Sequence, residues 1–383
     1  MSYELNEGQQ ELRNRVRTFV RTQCTKEVVH QWDMEGKIPT NIHHELKNLG
    51  IMGLSVPRKF GGLGGNATDY VIVIEELAKA CMSLAFYYIM GVVYGGEVIN
   101  DCGSEYQKVF FLPKIAEGEL FFSYGITEPD AGSDAGACRT LATSSGDNYI
   151  INGTKMFITG ADFSDYCVTL TRTDDKAKKH KGLTVFIVDT KCEGYTANPI
   201  KKLGVRASSA CEVVFENVKV PKENILGGPD GLHNGWALLL KTLDLEHIEV
   251  AAASVGAGKA ALDDVLDYVK QNIKSGASID ELQAVRHTVA EMSTDLECAR
   301  LLTYHAASLK SRHLDCWKES CMAKLFASEA CKKIALKGIE IFRGEEYLIK
   351  TSIQRHVRDT IAGTVGGGTS EIQKNMIAKA LGV

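Results

Sequence analysis

The apolar pattern of this chain changes period twice, and that double change restricts the fold more than any other feature. From residue 1 to about 120, "ELRNRVRTFVRTQ", "IHHELKNLGIMGL" and "DYVIVIEELAKACMSLAFYYI" carry apolar residues at three- and four-residue steps, which line one face of an α-helix. From about 121 to 230 the segments shorten and become β-branched and aromatic: "YIINGTKMFITG", "YCVTLTRT", "GLTVFIVDT" and "ACEVVFENVKV", with turn residues between them. From about 231 to 383 the helical period returns in stretches such as "NGWALLLKTLDLEHIEVAAASVGAGKAALDDVLDYVKQ", "ELQAVRHTVAEMSTDLECARLLTYHAASLKS" and "SCMAKLFASEACKKIALKGIEIF". The expected fold is mainly α with a β-domain: an N-terminal helical domain (1–120), a middle antiparallel β-domain (121–230) and a C-terminal four-helix bundle (231–383). No helical pattern alternates with the strands, so a dinucleotide-binding βαβ unit is disfavoured.

The formal net charge of −4 and the lack of a basic stripe argue against nucleic acid as a partner. Eleven cysteines with no C-x-x-C spacing give neither a zinc site nor a disulfide framework, so they read as reduced, mostly buried residues and no metal is expected. The uncharged run from Ala80 to Gly96 is short for a bilayer crossing and reads as a buried helix, with no membrane span expected. "MSYELNEGQQELRNRVRTF" reads as an amphipathic helix rather than a signal peptide, and the expected location is cytoplasmic.

The glycine clusters at 61–65 and 227–231 lack the strand and helix that a dinucleotide loop needs, and no G-K-[ST] follows either, so both read as turns. Four other stretches are more specific in combination: "YGITEPDAGSDAG" (124–136), "GTKMFITGA" (153–161), "KLGVRASSACEVVFENVKVPKENILG" (202–227) and "GGGTSEIQ" (366–373). Together with the N-terminal "ELKNLGIMGLSVPRKFGGLGG", they resemble the acyl-CoA dehydrogenase flavoprotein family over essentially the whole chain.

That resemblance implies FAD as cofactor and assigns roles position by position. Tyr124, Ile126 and Thr127 match the loop that holds the flavin ring; Phe157 and Thr159 match the strand end beside it; Ser133 matches the serine near the pantetheine arm. Thr369 and Glu371 fall in the C-terminal cofactor motif. Most members carry the catalytic glutamate just before G-T-S-E-I-Q, where this chain has Gly367. A minority, resembling isovaleryl-CoA dehydrogenase, carries it in L-D-L-E-R; "LDLE" here makes Glu246 the expected base, with Leu243, His247, Gly367 and Gly368 around the substrate. A carboxylate in a dry pocket suits the task, because burial raises its pKa toward the working pH.

Some positions depart from the family. His247 replaces an arginine. The segment that grips the ADP half of FAD across a subunit boundary carries Asn272 and Ser275 in place of arginine and phenylalanine. Its second part carries Glu340 and Arg343 in place of glutamine and glycine, followed by Gly344, and Arg343 is the candidate to compensate. The implied partners are an acyl-CoA, an electron-transfer flavoprotein and three further copies in a homotetramer. An acyl-carrier-protein substrate and a hetero-oligomer with a non-catalytic role remain alternatives.

Overall fold

The structure is a computed structural model that describes residues 4–274, 283–342, 344 and 347–383. The N-terminal helices are α1 (Glu7–Gln23), α2 (Lys26–Glu35), α3 (Thr40–Asn48), α4 (Ala67–Ala80), α5 (Met82–Ile89), α6 (Val98–Cys102) and α7 (Glu105–Ala116). Asn66 opens α4 with a capping box: its side chain accepts from Asp69 N while Asp69 accepts from Asn66 N, so the glycine-rich loop before it ends in a cap. Between α5 and α6 the chain widens into a π-helical stretch, Met90–Glu97, a form that recurs at functional sites. The run Met82–Cys102 is apolar enough by composition to cross a bilayer, but 75% of its most apolar window is buried inside the protein.

Seven strands follow: β1 (Phe122–Gly125), β2 (Leu141–Ser145), β3 (Asn148–Thr159), β4 (Tyr166–Arg172), β5 (Leu183–Asp189), β6 (Tyr195–Pro199) and β7 (Ala210–Pro221). They form one sheet in the order β1-β4-β2-β3-β7-β6, with β5 on β4. The sheet is mixed rather than wholly antiparallel, because β1 runs parallel to β4. The physical cause is the long loop after β1, which carries the chain over to β2 instead of turning it back in a hairpin. The same loop holds Ile126, Thr127 and Ser133.

The C-terminal part contains α8 (Gly235–Lys274), α9 (Gln283–Ser311), α10 (Trp317–Ile341), α11 (Ser352–Val365) and α12 (Ser370–Ala380). Helices α8 to α11 pack on one another as the bundle, and α12 docks on α10. Helix α4 joins this bundle by lying against α8. The approach is close: a β-carbon on Gly256 would fall 2.3 Å from the Glu75 carbonyl, so only glycine fits there. The buried Glu75 carboxylate then ties α4 to α9, accepting from Tyr304 Oη at 3.0 Å and from Arg300. One apolar core runs through the N-terminal helices and the bundle, so the first half of α8 is held rigidly between α4, the π-helical stretch and α11.

Candidate active site

Glu246 sits on α8 one turn before Val250. Gly367 lies beside both: a β-carbon built on it would be 3.7 Å from Glu246 Oε1 and 3.2 Å from Val250 Cγ2. Gly367 has φ +62°, a backbone region that favours glycine. The turn it belongs to is fixed from behind. Gly366 ends α11, and the Thr369 side chain caps α12 by accepting from Ile372 N at 3.3 Å. Gln373 Nε2 donates to the Gly367 carbonyl at 3.0 Å, and Lys324 Nζ donates to the Gly368 carbonyl. Both Lys324 and Gln373 are buried.

The electrostatics of this corner follow from its burial. Glu246 remains partly accessible, yet burial pushes its carboxyl up to about 7, with Lys324 opposing the rise. Burial brings Lys324 down to about 8, with Glu246 opposing the fall. A carboxyl with a pKa close to neutrality can take a proton and give it back.

The second part of the site lies at the ends of β1 and β3. The Tyr124 ring stacks on Tyr94 at 5.2 Å, and its hydroxyl is 3.3 Å from Thr242 Oγ1 on α8. The following loop rests on a buried ion pair: Lys155 Nζ donates to Glu128 Oε1 at 2.8 Å and to the Ile126 carbonyl at 3.1 Å. Glu128 also accepts from the backbone N–H groups of Arg139 and Thr140, and Met156 N donates to the Thr127 carbonyl at 2.8 Å. Burial opposes ionisation of Glu128, but the Lys155 charge and these hydrogen bonds outweigh it and bring the carboxyl down to about 2.

Phe157 stands at the irregular pairing between Lys155 and Ile158 in β3, with φ +62° and 65% exposure. A large aromatic held outward in a strained conformation, beside a loop pinned from beneath, leaves its ring free to cover the face of a planar ring system, the role the resemblance implies. The isoalloxazine of FAD matches that description, and Tyr124, Ile126, Thr127, Phe157 and Thr159 are the residues that would hold it.

Other expected residues are placed differently. Ser133 is exposed on the loop after β1, and Leu243 is half-buried one turn before Glu246. His247 is buried and turns away from Gly367 toward α10: its Nδ1 is 3.7 Å from Cys321 Sγ and its ring 5.8 Å from Trp317. Burial, then Lys324, brings it down to about 3, so it is neutral. Glu371 is exposed in the first turn of α12, 3.8 Å from Lys374. Gly344 is exposed, with φ +99°. Asn272 donates to the Tyr268 carbonyl of its own helix at 2.9 Å, and Glu340 pairs with Lys337 at 2.8 Å. Arg343 and Ser275 lie outside the described residues. Sequence reasoning did not single out Lys155 or Lys324, and it placed Glu128 and Gln373 in the quoted motifs without seeing their supporting contacts. The one local hint was Lys155, a charge between turn and strand residues in "NGTKMFIT".

The chain matches the acyl-CoA dehydrogenase N-terminal domain over residues 6–119, the middle domain over 123–218 and the C-terminal domain over 233–382. It is 37% identical over 383 residues to the probable acyl-CoA dehydrogenase YngJ of Bacillus subtilis, covering 100% of both chains. It is 35% identical to the caffeyl-CoA reductase-Etf complex subunit CarC of Acetobacterium woodii, covering 97% of both. Among solved structures, butyryl-CoA dehydrogenase from Megasphaera elsdenii superposes with a TM-score of 0.95 at 32% identity, covering 100% of both chains.

Proposed function

The chain belongs to the acyl-CoA dehydrogenase family, whose members are FAD-dependent oxidoreductases of acyl-CoA thioesters, and on that premise we propose that Glu246 is its catalytic base, as in the isovaleryl-CoA dehydrogenase-like branch. The observation that carries this reading is the contact between Glu246 and Gly367: the carboxylate occupies the space beside the glycine where most of the family carries its own base.

Glu246 takes the α-proton of the bound thioester, and its raised pKa makes it a stronger base than an exposed carboxylate. Gly367 and Gly368 remove two side chains from the reacting carbons. Their carbonyls are drawn inward by Gln373 and Lys324, which fixes the peptide planes of the turn beside the substrate. Val250 packs beside the Gly367 turn, and the Tyr94 ring stacks on Tyr124. FAD supplies the acceptor for the β-hydride. Tyr124, Ile126, Thr127, Phe157 and Thr159 orient its ring, and Ser133 lies on the exposed path for the pantetheine arm. The electron partner is an electron-transfer flavoprotein and the assembly a homotetramer in the cytoplasm. Support for the first is the relative CarC, named as a subunit of an Etf complex. The same relative is a reductase, and Glu246 serves equally as proton donor if the reaction runs toward the saturated thioester.

The test is Glu246→Gln, which keeps size and polarity and removes the carboxylate. Flavin reduction by acyl-CoA falls by about 10³-fold or more, about 4 kcal/mol of barrier, with FAD content unchanged. A variant retaining a tenth of the wild-type rate overturns the assignment.

A further inference from the structure

Glu249 is the least explained side chain near the site. It is fully buried on α8, and neither carboxyl oxygen has a hydrogen-bond partner among the described residues. The hydroxyls on the helices that pack against this part of α8 are engaged elsewhere. Tyr70 Oη on α4 donates to Glu97 Oε1 at 2.6 Å, and Tyr88 Oη on α5 donates to the Ile51 carbonyl at 3.0 Å. Ser254, on α8 itself, donates to the Val250 carbonyl at 2.8 Å. A buried carboxyl left in this way costs stability, and no contact within the fold offsets the cost.

Helix geometry fixes where Glu249 stands relative to the base. Thr242, Glu246 and Glu249 occupy positions i, i+4 and i+7 and share one face of α8. The first turn of that face is placed by the Thr242 hydroxyl, 3.3 Å from Tyr124 Oη, and the Tyr124 ring stacks on Tyr94 of the π-helical stretch at 5.2 Å. The middle turn is placed by Gly367, whose β-carbon, if it had one, would lie 3.7 Å from Glu246 Oε1. Glu249 follows one turn on, its β-carbon roughly 5–6 Å from that of Glu246. Accessibility falls in the same direction: Glu246 is partly accessible and Glu249 is not. The Tyr124 end of the face is the end assigned to the flavin ring. An acyl chain whose α-carbon meets Glu246, and whose tail runs away from the ring, therefore brings that tail to Glu249.

We propose that Glu249 selects the acyl group: the substrate carries a hydroxyl or amino group about one helical turn beyond its α-carbon, and that group supplies the hydrogen-bond partner that the fold withholds. The inference rests on Glu246 being the base, which marks where the α-carbon sits. A site built around a buried polar group rejects a chain that ends in methyl, because the carboxyl then stays unpaired away from water. Burial also holds the Glu249 carboxyl well above the ordinary range. A neutral acid both donates and accepts, which suits a hydroxyl, whereas an ammonium group draws the same carboxyl into an ionised pair.

The test follows anaerobic flavin reduction in the FAD-loaded enzyme by a length series of ω-hydroxy and ω-amino acyl-CoAs. Each is set against the acyl-CoA of equal length in which methyl replaces the polar group. The wild-type kcat/KM is expected to favour the polar chain by about tenfold or more at the length that reaches Glu249. Glu249→Leu loses that preference and accepts methyl-ended chains at least as well as the wild type. A purely structural role would instead lower both series alike or release flavin. Glu249→Gln separates the two ligands: an amide still pairs with a hydroxyl but cannot ionise for an ammonium group, so only the preference for the amine is lost. No preference in the wild type at any length, or a preference that survives in Glu249→Leu, overturns the proposal. If Glu249→Leu loses flavin, the wild-type series decides alone. Failure of the base is read separately: Glu246→Gln that still reduces its flavin removes the base, and the wild-type preference in binding, read from the flavin absorbance, then decides the role of Glu249.

Discussion

Lys155 Nζ lies 2.8 Å from Glu128 Oε1 in the interior of the β-domain, and this pair supports the loop that carries Ile126 and Thr127, the residues proposed to hold the flavin ring. Both side chains are buried, the lysine completely. Removing one partner leaves an uncompensated buried charge, which costs more than the pair itself contributes.

Lys155→Met is therefore expected to destabilise the protein by about 3–5 kcal/mol and to lower its FAD content. The double variant Lys155→Met/Glu128→Gln recovers part of the loss, because no charge is then stranded. The pH dependence has a definite sign. The folded-state pKa of Glu128 is depressed to about 2, so its stabilisation is complete above the ordinary carboxylate value of 4.5 and is lost as pH falls through about 2. Thermal melts of wild type and Glu128→Gln should diverge at neutral pH and converge near pH 2. Equal melting temperatures at pH 7 would show that the pair does not support the loop.

Gly367→Ala tests the turn beside Glu246, the proposed base. The added β-carbon must adopt φ +62° and lie 3.2 Å from Val250 Cγ2. The expected loss is about 1–2 kcal/mol of stability. The wild-type turn has no side chain at 366–368, so the enzyme should accept acyl groups branched next to the reacting carbons. The expected result is a higher kcat/KM for isovaleryl-CoA than for butyryl-CoA, with the ratio falling in Gly367→Ala. A wild-type preference for butyryl-CoA contradicts this account of the pocket.

The double change of hydrophobic period located the helical and β-rich parts of the fold, because burying one face of a helix or a sheet requires that spacing. It could not show that β1 runs parallel to β4, since both arrangements give the same alternation. At the site, the paired change at positions 246 and 367 was legible only through the family motifs, and the structure brings those two residues together. His247 was expected beside the substrate, but one position along a helix turns a side chain by about 100°, and here it faces Cys321. Lys324 was invisible because it acts from another helix on a backbone carbonyl 44 residues away, a contact that leaves no local pattern, whereas Gln373 lies within the quoted C-terminal motif and reaches back to the Gly367 carbonyl.

The ADP half of FAD gives a third prediction. Glu340 is exposed and already balanced by Lys337 on the same helix, so Glu340→Gln should change flavin affinity by less than about twofold. Arg343, outside the described residues, remains the candidate to replace the missing arginine on the pyrophosphate. A charge-assisted contact contributes roughly 1.5–3 kcal/mol, so Arg343→Ala should weaken FAD about 10- to 150-fold. Flavin per chain before and after dialysis measures both. Full retention in Arg343→Ala would place the ADP contacts on other residues.

Lys324 gives the last prediction, which concerns the pH profile of catalysis. The base must be ionised to take a proton, so kcat/KM should rise with pH and level off above about 7, the value to which burial pushes Glu246. Lys324 opposes that rise from α10, held in place by its bond to the Gly368 carbonyl. Lys324→Met removes the opposing charge, so the midpoint moves to higher pH by about one unit or more. Activity at pH 7 then falls, while activity at pH 9 recovers much of its wild-type value. Lys324→Arg keeps the charge and should keep the midpoint. Stability supplies an independent check on the same group. Because folding raises the Glu246 pKa, its contribution is fully present below 4.5 and is lost as pH rises through about 7. Glu246→Gln should therefore melt above the wild type at pH 8 and show no such gain at pH 4. A kcat/KM midpoint that stays fixed in Lys324→Met would mean that the lysine acts on the glycine turn alone and not on the base.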